Sequence, residues 1–167
     1  MKIFIRCADA INRVAGYIAA LLLVPLTLIA AYEVFMRYIV EKPTIWSWDL
    51  NIQIFAGIIM LGGGDTLRRH GHVVMDVVVQ NLSKRKRAGL DLLTSLFFFF
   101  GVITLLWGGW DQGWASWKAR EAMPTVWAPP FYTMKMLIPV GAFLLLLQGM
   151  AEVLRNLMVL RGSEEGS

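Results

Sequence analysis

The chain has 167 residues, of which 57% are hydrophobic and only 17% charged, and its mean hydropathy is +0.57. So little charge cannot cover a soluble domain of this size; the composition excludes a soluble globular fold and predicts apolar runs of about 20 residues that cross a bilayer. The net charge of +4 is gathered in clusters between those runs, which reads as anchoring at a membrane surface and argues against nucleic-acid binding.

The first span is predicted over residues 14–37. A basic segment with Lys2, Arg6 and Arg13 precedes it. The apolar run is longer than the h-region of a cleavable signal peptide, about 7–15 residues, so the segment reads as an uncleaved span. Cys7 stands alone and cannot form an internal disulfide; it reads as a small apolar filler. Glu33 and Arg37, spaced i, i+4 near the far end, can pair along one helix face.

The second span is predicted over residues 46–67, with Trp46 and Trp48 at the level of an interfacial aromatic belt. Asp49 and Gln53 open a helix face that continues through Ala56, Gly57, Met60 and Gly64. A polar start followed by small residues is what close helix packing in a membrane needs. The connector, residues 68–87, is too long for a tight turn and too polar to span. Within it Val74, Val77, Val78 and Leu82 recur at i, i+3, i+4, i+8, which predicts a short amphipathic helix lying in the membrane surface. Arg68, Arg69, Lys84, Arg85, Lys86 and Arg87 would then meet anionic lipid head groups.

The third span is predicted over residues 90–114. Trp107, Trp110, Trp114 and Trp117 recur at i, i+3, i+7, i+10 along a helix that carries this span outward. They read as an aromatic belt. Trp110, Trp114, Trp117 and Arg120 also form a rim on which an extracytoplasmic partner could dock. The fourth span is predicted over residues 131–155, with Pro130 suited to the first turn and Pro139 expected to bend the helix locally. Gln148 and Glu152 form a further i, i+4 polar pair, extended to Arg155.

The expected architecture is an all-α membrane protein: one domain of four transmembrane helices, with a short amphipathic interfacial helix between the second and third. With the N-terminus inside, Lys2, Arg6, Arg13, Arg68, Arg69, Lys84 to Arg87, Arg155 and Arg161 fall on the inner side. Arg37, Lys42, Lys118, Arg120 and Lys135 fall on the outer side. That excess places both termini in the cytoplasm.

No catalytic apparatus is recognisable, and no cofactor or metal is called for. His70 and His72 share one surface connector, whereas a bis-histidine haem needs ligands on facing helices. Zinc would need two more good ligands, with only Asp65 and Asp76 close in sequence. No carboxylates are stacked deep in the membrane and no span is broken into an unwound stretch, as solute and ion sites in transporters usually are. The polar faces, Glu33 with Arg37, Asp49 and Gln53 with Gly57 and Gly64, and Gln148 with Glu152, ask for helix partners, in this chain or another.

In order along nearly the whole length, the chain resembles the small membrane subunit of tripartite ATP-independent periplasmic (TRAP) transporters, the four-helix DctQ-like component. The residues that carry the resemblance begin with Glu33-Val-Phe-Met-Arg37-Tyr38, then Pro43, Trp46 and Asp49. They continue through a glycine-rich end to span two and Arg69-His-Gly71-His72-Val-Val-Met-Asp76. Pro124, Trp127, Pro130 and Pro139-Val-Gly141 complete them. The chain departs from the family pattern in having one acidic residue, Asp49, where two are common, and in its heavier tryptophan stripe. The resemblance implies a bacterial inner-membrane subunit that pairs with a larger, multi-span DctM-like subunit holding the substrate and sodium sites. It also implies a periplasmic, DctP-like binding protein that delivers the solute, commonly an organic acid, for symport without ATP. The small subunit would brace the large one. The alternative from the residues alone is a free-standing four-helix protein. As a small homo-oligomeric exporter it would want an embedded carboxylate, for which Glu33 is the candidate in span one. As a cofactor-binding oxidoreductase subunit it would want in-span histidines, which are absent.

Overall fold

The computed structural model describes residues 1–69 and 84–160, the side chains of 84–91 excepted. Four helices are long and apolar enough to cross a membrane. They are α1 (Lys2–Tyr38), α2 (Ser47–Arg68), α3 (Lys84–Ala119) and α4 (Phe131–Leu160). The amphipathic helix expected over Val74, Val77, Val78 and Leu82 lies outside the described residues, as do His70 and His72. Lys84 to Arg87 form the first turn of α3.

The basic N-terminal segment is continuous with the first span. It forms the opening turns of a single 37-residue helix. At about 1.5 Å per residue α1 is roughly 55 Å long, well beyond a hydrocarbon core of about 30 Å. The reason is a continuous buried stripe, Ile5, Ala8, Asn12, Ala15 and Ala19, at alternating spacings of three and four. Its first turns meet the last turns of α4, where Ile5, Ala8, Ala151 and Met158 form an apolar cluster flanked by Leu154. That contact carries α4 past the expected end at residue 155. Helix α1 also continues through Pro25, and α4 through the buried Pro139.

Helix α4 is the hub of the bundle, packing on α3, α2 and α1, while α1 also packs on α2. Small residues let the backbones approach. A Cβ on Gly141 of α4 would lie 2.8 Å from the Met60 carbonyl of α2, and one on Gly109 of α3 would lie 2.6 Å from Ile138 Cγ2 of α4. Helix α3 leans on α4 alone among the well-packed pairs. Its outer side is therefore bare: Leu96, Phe97, Phe100 and Trp107 are each more than 65% exposed.

At the end away from the termini, the link between α3 and α4 folds back on itself. Phe131 N–H donates to Glu121 O at 2.8 Å and Met123 N–H to Pro129 O at 2.9 Å. Helix α3 stops because Arg120 takes a left-handed conformation, φ 47°, letting Arg120 N–H reach Trp117 O and Glu121 N–H reach Ser116 O. These are the two hydrogen bonds of a Schellman cap, with arginine where glycine is usual.

Candidate functional site

Polar side chains gather at both ends of the bundle. At the end that carries the described N-terminus, Asn12 of α1 and Gln148 of α4 are fully buried. Asn12 Nδ2 donates to Ala8 O and to Gln148 Oε1, both at 3.0 Å. Gln148 Nε2 donates to Asp9 Oδ1 at 3.0 Å and to Glu152 Oε1 at 3.5 Å. Arg155 closes the network by pairing with both Asp9 and Glu152. A buried amide without partners is costly in an apolar setting, so the bonds from Asn12 to Gln148, Gln148 to Asp9 and Arg155 to Asp9 tie α1 to α4. Helix α2 joins through its glycines. A Cβ on Gly64 would fall 1.8 Å from Asn12 Oδ1, an atom that otherwise accepts no hydrogen bond. Gly57 faces Leu22 and Leu137.

Next to Gly64 in the chain, Asp65 is 7% exposed and accepts from Arg68 Nε at 2.8 Å and Arg69 Nε at 2.7 Å. Gly16 of α1 makes room for it: a Cβ there would lie 2.7 Å from the Asp65 carboxylate. Arg68 and Arg69, read from the sequence as lipid anchors, are thus engaged within the chain through Asp65, though the Arg69 side chain stays 61% exposed.

At the opposite end, Glu33 accepts from Arg37 Nη2 at 2.6 Å, as the i, i+4 spacing predicts, and from Thr44 N–H at 3.1 Å. Thr44 Oγ1 also donates to it, with Ser47 Oγ 2.7 Å from that hydroxyl. Tyr32 and Trp46 stack with centroids 6.0 Å apart. Asp49, 2% exposed, accepts from Thr125 Oγ1 at 2.6 Å. Gln53 Nε2 points at Pro130 O, 3.5 Å away, and Met123 Sδ. The 120–130 link thus covers the start of α2. Glu121 accepts from Ser116 Oγ and Lys135 Nζ, both at 2.6 Å, and these bonds hold its carboxyl below the usual value of 4.5. The tryptophans line α3 toward this end. Trp110 and Trp114 stack 6.2 Å apart, Lys118 sits over Trp114, and Trp117 meets the edge of Tyr132. Trp110, Trp114, Trp117 and Arg120 are all exposed.

Sequence reasoning therefore placed the polar faces and missed most of their partners. Asn12 has a signal only once α1 is known to begin at Lys2, since it then occupies an inward position of an otherwise apolar stripe. Asp65 has another, with arginines at i+3 and i+4. Thr44 and Thr125 carry none, because long-range folding brings them in. Among the described residues no three of His, Cys, Asp and Glu converge as a metal site would need. The chemistry available is the joining of helices.

Such a fold defines a multi-pass membrane protein whose polar groups lock its own helices together. The chain belongs to the family described as tripartite ATP-independent periplasmic transporters, DctQ component, which matches residues 26–158. That is a family of transporter components and not of enzymes. The chain is also similar to the C4-dicarboxylate TRAP transporter small permease protein DctQ of Vibrio cholerae serotype O1 (strain ATCC 39315 / El Tor Inaba N16961), with 24% identity over 108 residues. The aligned stretch covers 65% of this chain and 47% of that relative, about half its length.

Proposed function

We propose that this chain is the small, bracing subunit of a binding-protein-dependent uptake transporter for an organic acid or a similar small solute, driven by a sodium gradient. Its partners are a large DctM-like membrane subunit that holds the solute and ion sites and a periplasmic DctP-like binding protein. It sits in a bacterial inner membrane with both termini cytoplasmic. One observation carries this reading: the polar groups at both ends are spent on bonds within the chain, as in Asn12–Gln148–Asp9 and Asp49–Thr125. The result is a stiff body with wide apolar flanks. Glu33, Arg37, Asp49, Gln53, Gly57, Gly64, Gln148 and Glu152 then serve a partner interface by fixing the shape offered to it. The bare side of α3 is the flank we assign to the large subunit. Trp110, Trp114, Trp117 and Arg120 form the rim where the binding protein seats. Lys84 to Arg87, with the exposed part of Arg69, meet the lipid surface.

Uptake into vesicles reconstituted with the large subunit and binding protein tests the reading. Omitting this chain should abolish uptake, while Glu33→Gln, Asp49→Asn or Gln148→Leu should change rate or assembly only. A single substitution here that altered the solute carried, or the number of sodium ions per solute, would sink it. Reporter fusions at Lys42 and Ala128 should read out extracytoplasmic; a cytoplasmic signal at either reverses the orientation.

A further inference from the structure

The seam between α1 and α2 holds an open groove of about 360 Å³, lined among others by Ala20, Leu23, Ile58, Ile59, Gly62 and Thr66. It exists because small residues face each other there: a Cβ on Gly62 would lie 3.7 Å from Ala19 Cβ. The groove leads toward the charged end of the bundle. At about 100° per residue, Arg13 stands within roughly 20° of Ala20 on α1, and Arg69 stands within roughly 20° of Gly62 on α2. The two arginines are level. Arg13 lies one turn before Gly16, Arg69 one turn after Asp65, and Gly16 and Asp65 are in contact. Arg13 is exposed and has no hydrogen bond or ion pair among the described residues. Arg69 uses Nε on Asp65, and its outer guanidinium edge meets no other partner among the described residues. Lys2 and Arg6 continue the same face of α1 away from the membrane.

We propose that this groove seats one acyl chain of an acidic phospholipid, whose phosphate is held between Arg13 and Arg69. Depth fits. From Arg69 to Ile58 is eleven positions of chain, roughly 16 Å of helix, close to the half-thickness of a hydrocarbon core of about 30 Å. Charge fits, because a phosphate at the head of the groove meets two guanidinium groups on separate helices, and Arg is suited to that contact. A zwitterionic lipid would fill the groove equally well but would bring its own cation to the arginines. The proposal rests on the membrane-spanning fold and not on the transport reading.

The test uses the purified full chain in nanodiscs with spin-labelled phosphatidylglycerol or phosphatidylcholine, reading the motionally restricted fraction of each. A several-fold preference for phosphatidylglycerol is expected. It should fall to near unity in Arg13→Gln/Arg69→Gln and persist in Lys42→Gln at the other end. Ala20→Leu, which fills the groove from an exposed position, should lower the restricted fraction of both lipids. Unchanged helicity and melting temperature would show that the variants fold. A preference untouched by the arginine pair, one lost equally in Lys42→Gln, or a restricted fraction indifferent to Ala20→Leu would overturn the proposal.

Discussion

Asn12 and Gln148 show what a single amide pair does inside an apolar bundle. Removing one partner costs the other its bond across the bundle while Asn12 keeps Ala8 O and Gln148 keeps Asp9, a loss of about 1–3 kcal/mol in proteins generally and closer to ~0.6 kcal/mol for many interhelical bonds in membranes. Asn12→Leu and Gln148→Leu should each lower thermal stability in detergent, and the double variant should lose less than the sum of the two. Strict additivity would show that the pair is not coupled. Gly64→Ala belongs to the same series: its methyl would collide with Asn12, so it should be tolerated only alongside Asn12→Ala. The sequence displays Gln148 openly, in the middle of an apolar helix. Asn12 is harder to see, because a basic, mixed segment surrounds it and gives no sign that the helix has already begun. The donor–acceptor match between them, 136 positions apart, depends on how α1 and α4 cross.

At the scale of elements, hydropathy located every span but not its length. Helix ends here are set by contacts that hydropathy does not score: Ile5 and Ala8 on Met158 extend α1 and α4, and the left-handed Arg120 halts α3. The 120–130 link is the least legible element, since its order comes from distant partners, Asp49 and Lys135. It also carries a pH dependence. Lysine and serine bonds depress the Glu121 pKa in the folded state, so the stability it lends is present above about pH 4.5 and fades as pH falls through the lower, folded value. Glu121 is partly exposed, which keeps the effect small. Melting curves from pH 7 down to pH 3 should show a steeper acid loss for the native chain than for Glu121→Gln. Parallel curves would exclude Glu121 as a contributor.

For the whole molecule, a helix pair and a single helix flank a shared axis: α1 with α2 on one side, α3 on the other, and α4 between them as the most buried of the four. A flank of this kind, broad and apolar, is what a bracing subunit would present to a larger neighbour. The count of spans, their order and the two polar ends follow from hydropathy and charge. The central place of α4 does not, because Leu, Gly and Ala on all its sides read alike as lipid-facing or buried.

That central place has a consequence in time. A ribosome delivers α1, α2 and α3 to the membrane before α4, yet α3 has its main contacts with α4 and Asn12 waits for Gln148. Until the last helix arrives, α1 and α2 can pair, while α3 lies in the lipid unmoored and the Asn12 amide has only Ala8 O within its own helix. The final helix is therefore the step that completes folding, and assembly with any partner along α3 must follow it. A chain stopped at Pro130 should insert and then be cleared by membrane proteases far faster than the full chain in a pulse–chase experiment. Supplying residues 131–167 as a separate membrane peptide should lengthen its half-life. Equal half-lives of the stopped and full chains would show that α3 is held by something other than α4.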